Sequence, residues 1–449
     1  MRYLTNRIFC VTIKMHFTKQ EREFMKLNYK RTILVGFAFF LISAFWQAYD
    51  TIVPLILTNR FGMEQTYSGV IMSLDNIFAV VLLPIFGTLS DKTVTRFGKR
   101  TPYITVGTVL ASLFLILLGF TPKLVLFVLV LLASLLSMAT FRSPAVALMP
   151  DVTVKPLRSK GNAIINLMGT AGGMIVLGLG IVFKTSTAGK TDFSVYLITV
   201  SLVMIGALVV FLLTVKEPLW ASEAEKENSK LDAEASKVEE TKVVGKLSRT
   251  ELTSLILILA SVALWYIGYN AITSKYSVYA SEVLKVPYTV TLLVAQGAAI
   301  VSYIPVGLVA SKVGRKKTIL AGVLMLTVAF ASASFIKEGV NPIVMYLLFS
   351  LAGIGWATIN VNSFPMVVEL AKNGDVGKYT GFYYTASMTA QIVTPILSGF
   401  LIDKIGWKVF FPYAAIFVAC AFVTMFFVKH GDSRPEAQGA LESLAGADD

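Results

Sequence analysis

Gly87-Thr-Leu-Ser-Asp91-Lys-Thr-Val-Thr-Arg96-Phe-Gly98-Lys99-Arg100-Thr-Pro102-Tyr103-Ile104 stands between two long apolar stretches. A shorter echo, Gly307-Leu-Val-Ala-Ser311-Lys312-Val-Gly314-Arg315-Lys316-Lys317, begins 220 residues later in the same setting. A basic turn repeated between apolar segments reads as two related membrane halves in tandem.

The rest of the chain agrees with that reading. Of its 449 residues, 55% are hydrophobic and 15% charged, against about 25% charged in soluble domains. Crossing a hydrocarbon core of roughly 30 Å takes about 20 apolar residues. Windows of that kind predict twelve helices, at 32–57, 67–89, 102–121, 123–149, 161–183, 193–215, 252–273, 289–311, 317–336, 342–368, 379–401 and 407–428. Alternating strands of the β-barrel type are not seen. The expected fold is therefore an all-α integral membrane protein with two parallel-repeat bundles of six helices, 32–215 and 251–428. A basic leader (1–31), a charged linker (216–250) and a polar tail (429–449) complete the division. The linker, rich in Glu, Lys, Ala and Ser, carries no readable chemistry, though part of it is expected to be helical.

The net charge of +13 would suggest nucleic acid in a soluble chain. Here the basic residues gather in alternate connections: the leader, Lys92 to Arg100, Lys155 to Lys160 and Lys312 to Lys317. Connections around Arg60, Lys123, Lys275 and Lys337 are poorer in them. That asymmetry places both termini in the cytoplasm of a multi-pass cell-membrane protein, in contact with lipid and not with nucleic acid. Met25 lies just before the first helix and reads as an ordinary start, which would make 1–24 an upstream extension. No signal peptide is read in the leader.

Two cysteines, Cys10 and Cys420, do not make a disulfide framework. The two histidines, His16 and His430, lie in the leader and the tail; there is no metal cluster and no Walker-type phosphate loop. An enzyme is disfavoured and no cofactor or metal is implied. The halves match again at Asp151 and Glu369, offset by 218, and at Gly161 and Gly381, offset by 220. Parallel repeats of this kind are a transporter architecture, with a small-molecule site near the midplane.

Ionisable residues within apolar helices cost several kcal/mol at the bilayer centre and are functional candidates by default. Asp50, Asp75 and Arg142 are the candidates for cation coupling, with Asp151 at the end of the fourth helix. In this hypothesis Asp75 or Asp50 exchanges a proton and Arg142 biases its charge state; the competing reading is a static ion pair. Near the basic ends, Asp91, Arg96, Arg100, Asp151 and Arg158 form a candidate gate, with Arg315 and Glu369 as its counterpart in the other half. Candidate substrate contacts are aromatic and polar residues at helical spacing: Trp46 and Asp50 on the first helix, Trp265, Tyr266, Tyr269 and Asn270 on the seventh, Trp356 and Asn360 on the tenth. Asn162, Asn166, Gln296 and Gln391 rank second. Glycines of the fifth helix, such as Gly169 and Gly172, read as packing.

The Gly87 to Asp91 pattern followed by a basic turn resembles the loop after the second helix of major facilitator transporters. Its extended form, from Ser90-Asp91-Lys92 through Arg96-Phe97-Gly98-Lys99-Arg100 to Pro102-Tyr103-Ile104, resembles the glycoside-pentoside-hexuronide cation symporters. The nearest branch is that of the plant sucrose/proton symporters and their bacterial relatives. The block Pro144 to Thr153, with Arg158 after it, is similar to that family's fourth-helix end. The resemblance implies that the first, fourth, seventh and tenth helices line the cavity, and it points Asp151 and Arg158 to coupling or gating. Two departures stand out. Thr101 replaces a usual basic residue, and Ala79 and Leu83 stand where melibiose permease-like members carry cation-binding acids, which puts sodium coupling by that route in doubt.

The expected function is secondary transport of a sugar or glycoside coupled to a cation, a proton before sodium, by a monomer. The alternatives are proton-coupled export of drugs or amphiphilic molecules and, more remotely, a non-transporting membrane sensor.

Overall fold

A computed structural model describes residues 27–235, 248–371 and 376–431. The leader with Cys10, His16 and Met25, part of the linker and most of the tail lie outside these. Twelve helices are long and apolar enough to cross a membrane, and among the described residues there is no strand. In chain order they are α1 (Tyr29–Leu55), α2 (Gln65–Lys92), α3 (Thr101–Phe120), α4 (Leu124–Asp151), α5 (Arg158–Val182) and α6 (Ser194–Thr214), then α7 (Arg249–Val278), α8 (Tyr288–Val313), α9 (Arg315–Ala333), α10 (Pro342–Val368), α11 (Val376–Ile405) and α12 (Phe410–Phe426). Helices are what hydrocarbon demands, because each backbone N–H and C=O must be satisfied within its own segment. Polar side chains set the starts: Asn28 accepts from Arg31 N at 3.1 Å, Ser248 and Glu251 form a capping box, and Asn341 accepts from Ile343 N.

Two helices outrun the sequence expectation. The first continues through a π-helical turn, Ile56–Arg60, and the seventh, expected to end at 273, continues through another at Tyr279–Leu284. Lys275 had marked the end of that segment as a charge in a connection. It is instead fully buried inside the helix, with a partner described below.

Helices α1 to α6 form one group and α7 to α12 another, with α2 packing most heavily on α11 of the other group. The two groups meet through α2 with α11, α5 with α8, and α1 with α7. A six-helix repeat turns α2 into α8 and α11 into α5, so the first two pairs are equivalent in the repeat, with the α2–α11 contact the more extensive. Small residues permit it. A Cβ on Gly69 would lie 2.0 Å from Pro395 O, and one on Gly399 would lie 2.2 Å from Gln65 O, so α2 and α11 touch backbone to backbone. Within the first group, Gly172 lets α5 approach the Phe40 carbonyl in the same way.

The linker does carry chemistry. Its helix, Glu217–Ala235, begins directly after α6, and Glu217 is 1% exposed. The Glu217 carboxylate accepts from the backbone N–H groups of Lys99, Arg100 and Thr101 and from the Thr101 hydroxyl, all at 2.7–2.8 Å. These are donors at the start of α3 that have no partner within the helix. Gly98 holds φ at +107° there, and a Cβ would strike the carboxylate. Thr101, which departs from the usual basic residue, is thus a ligand of Glu217.

Candidate functional site

Between the two groups of helices lies a cavity of about 350 Å³. Its walls come from α1, α5, α7, α8, α9 and α10, and four of the expected substrate contacts face it: Trp46, Asp50, Tyr269 and Trp356. Tyr269 and Trp356 stack with centroids 3.7 Å apart and planes 5° apart, which joins α7 to α10 and presents a rigid aromatic wall. Trp46 forms part of the α1 wall, in edge contact with Tyr49. Its indole Nε1 is buried without a hydrogen-bond acceptor, and Asp50, one turn on, has no hydrogen bond or ion pair within 4.0 Å among the described residues.

Two glutamines join the aromatic residues at the cavity. Gln296 Nε2 donates to Gln47 Oε1 at 2.6 Å, bridging α8 and α1 beside Gly173 of α5. Gln296 was a second-rank candidate; Gln47 was not considered. Its signal was available, because Gln47 precedes Asp50 by three residues and shares its face. Thr51, Thr170 and Thr273 add hydroxyls.

Four expected contacts lie elsewhere. Trp265 is fully buried and Asn360 nearly so, and neither lines the cavity. Tyr266 packs its edge behind Trp356, with centroids 5.3 Å apart, and Asn270 spends its amide on the Tyr266 carbonyl at 2.9 Å. Helical spacing gave each pair a common face, but that face turns partly into the bundle.

The three intramembrane charges gather near α1. The Arg142 guanidinium lies 5.4 Å over the Trp46 ring and within electrostatic reach of both Asp50 and Asp75. Asp75 accepts from the backbone and side-chain amides of Asn76. No ion pair closer than 4.0 Å joins Arg142 to either acid; the three interact over a longer range. Although α4 carries Arg142, it does not line the cavity, contrary to the expectation for the fourth helix.

On the basic face, Arg100 is 4% exposed and joins three elements. Its Nε donates to Asp151 Oδ2 at 2.7 Å, its Nη2 pairs with Asp91, and its Nη1 donates to Ser90. Lys99 approaches the same Asp151 oxygen at 3.5 Å. Burial opposes the Arg100 charge, but the bonds and charges of Asp151 and Asp91 outweigh it and hold the guanidinium above its ordinary value. Arg96 and Arg158 stand outside this cluster. Arg96 lies over the Phe97 ring, and Arg158 donates to the carbonyls of Pro150 and Thr153. The counterpart pair in the other half is made by Arg315 Nη1 and Glu369 Oε2 at 2.6 Å.

On the opposite face the two groups of helices are stitched together. Glu282 accepts from Asn59 Nδ2 and Gly189 N, Tyr288 donates to Thr185, and Lys275 Nζ donates to Gln65 O at 2.7 Å.

A sequence model described as the Major Facilitator Superfamily matches residues 35–387 and 288–445, spanning both groups of helices. The chain belongs to the Major Facilitator Superfamily. With twelve membrane-crossing helices it is a multi-pass membrane protein. Similar superfamily proteins include the MFS-type transporter ppzB of Metarhizium rileyi, 28% identical over 27% of this chain and 25% of the relative. The chloramphenicol resistance protein CraA of Acinetobacter baumannii is 30% identical over 36% of this chain and 39% of the relative. Both matches thus span well under half of the relatives' length. Among solved structures, the nucleoside transporter NupG aligns with TM-score 0.65 at 14% identity, covering 89% of this chain and all of that one. The peptide transporter POT aligns with TM-score 0.67 at 14% identity, covering 89% and 93%. At that identity they show the fold alone. The superfamily's two halves are the two groups of helices above.

Proposed function

We propose that the protein carries a sugar or glycoside together with a proton, by alternating access, across the cell membrane. The observation that supports this most is the make-up of the central cavity. Flat aromatic faces at Trp46, Tyr269 and Trp356 suit the C–H surfaces of a sugar ring, while Gln47, Gln296 and the unpartnered Asp50 offer donors and acceptors for its hydroxyls. The resemblance of Gly87 to Ile104 and of Pro144 to Arg158 to the sucrose/proton branch points the same way. Asp50 and Asp75 are the proton-exchanging groups and Arg142 sets their field. Ala79 and Leu83 favour a proton over sodium. Arg100 with Asp91 and Asp151, and Arg315 with Glu369, are the gate pairs on the cytoplasmic, basic face, and the carrier works as a monomer.

One finding favours a second reading, proton-coupled export of amphiphilic molecules: the partial similarity to a chloramphenicol resistance protein. Uptake of labelled disaccharide into vesicles, with and without an imposed pH gradient, separates the two. Saturable sugar flux abolished by a protonophore supports symport. Efflux of lipophilic compounds without sugar flux supports export, and no flux of either kind leaves the sensor reading.

A further inference from the structure

Lys275 belongs to neither the cavity nor the basic-face cluster. It sits in α7 with no exposed surface, and its Nζ crosses to the other half to donate to Gln65 O. Gln65 opens α2, and its backbone N–H donates to Asp403 Oδ1 of α11 at 2.9 Å. Thr66 adds its N–H and hydroxyl to Asp403 Oδ2 at 2.7 and 2.5 Å. The carboxylate thus caps a helix start whose N–H groups lack partners and whose dipole favours negative charge. One residue of the first half is held between the lysine amine and a carboxylate of the second. The fit is closed on its remaining side by Gly399, where a Cβ would lie 2.2 Å from Gln65 O.

The same helix serves the cavity. Tyr269, Ile272 and Thr273 line it, and Lys275 follows two residues later. Beyond it α7 passes into the π-helical turn Tyr279–Leu284, a geometry that recurs at functional positions.

We infer that Lys275 is a positioning residue for alternating access: its bond to the Gln65 carbonyl holds the face opposite the basic loops shut, and each cycle breaks and remakes it. Both ends of the bond are buried, so parting them leaves a donor and an acceptor unmet until water reaches them. Because α7 carries both the aromatic wall and Lys275, a displacement of the helix at the wall reaches the closure through one rigid element. This inference rests on the transport reading but not on which molecule is carried.

The test needs no substrate. In the full-length chain with Cys10→Ser and Cys420→Ser, a single Ser43→Cys in the cavity wall is labelled with an impermeant maleimide, from either face, in vesicles of known orientation. Lys275→Met is expected to raise the labelling rate from the face opposite the basic loops at least fivefold and to lower it from the basic face, while Lys275→Arg stays within twofold of the parent. Unchanged rates from both faces in a Lys275→Met protein of parental melting temperature would overturn the inference. If Lys275→Met does not yield folded protein, Asp403→Asn decides. A shift in the same direction supports the inference, and parental rates overturn it. Sugar uptake is a separate readout: its absence from the parent protein counts against the proposed cargo, whereas unchanged labelling in the variant counts against this closure.

Discussion

Arg100 Nε and Asp151 Oδ2 lie 2.7 Å apart across 51 residues of sequence, and they tie the loop after α2 to the end of α4. The acid is 20% exposed and the cation 4%. Removing one partner of a buried pair costs about 3 kcal/mol, chiefly through the charge left behind. Arg100→Ala is therefore expected to destabilise the protein by about that amount, and Asp151→Asn by less, because Asp91 still neutralises the guanidinium. Thermal unfolding of the purified variants in one detergent checks the order; an equal loss in both would place the pair's weight elsewhere.

Replacing the intramembrane acids should separate coupling from movement. Asp50→Asn and Asp75→Asn are expected to abolish uphill uptake driven by a pH gradient in at least one of the two, while exchange of labelled for unlabelled substrate persists. Uphill uptake retained in both variants would end the proton assignment.

The stacked pair Tyr269 and Trp356 offers a test of cargo contact. Trp356→Ala removes an aromatic face from the cavity wall; an aromatic contact with substrate of about 0.5–1.5 kcal/mol corresponds to a fall in affinity of roughly two- to tenfold. Trp265→Phe, at a position away from the cavity, should leave affinity within twofold. Competition binding with a labelled sugar measures both. If Trp265→Phe weakened binding as much as Trp356→Ala, the central cavity would not be where substrate binds.

Glu217 is expected to matter beyond its place in a linker. Glu217→Ala leaves three backbone donors of the α3 start without their acceptor, and an unmet buried donor costs about 1–3 kcal/mol. Glu217→Gln, which keeps one carbonyl oxygen, should lose less. Hydrogen exchange at Lys99 to Thr101 reports the effect directly, and unchanged protection there in Glu217→Ala would show that the cap is dispensable.

Close backbone contact makes a further substitution informative. Gly69→Ala places a methyl where Pro395 O stands 2.0 Å away, so α2 and α11 must part. The variant should label faster at Ser43→Cys from the face opposite the basic loops. A variant that labels like its parent would mean that the helices separate there without cost.

Much of the fold was legible because hydrophobic length and Lys/Arg asymmetry act locally along the chain. The tenth helix was expected at 342–368 and runs over those residues. The seventh was cut short because a buried lysine and a solvated one are the same letter; only the distant Gln65 and Asp403 distinguish them. The site was legible in part for a related reason. Spacing of four gave Trp46 with Asp50 one common face and gave Tyr266 with Asn270 another, but the direction of a face depends on neighbouring helices. Trp265 and Asn360 therefore read as cavity residues while facing the bundle. Glu217 was passed over because its partners are backbone N–H groups, which no side-chain pattern announces.

The Gln47 to Gln296 hydrogen bond has a consequence for any molecule that enters the cleft. It spends one donor and one acceptor across the two groups of helices and leaves the Gln296 oxygen buried without a donor. A molecule that engages the bonded pair must first replace that bond, so its net gain there is the difference between two sets of contacts. A donor placed on the Gln296 oxygen displaces nothing, and that atom is where a new contact counts in full.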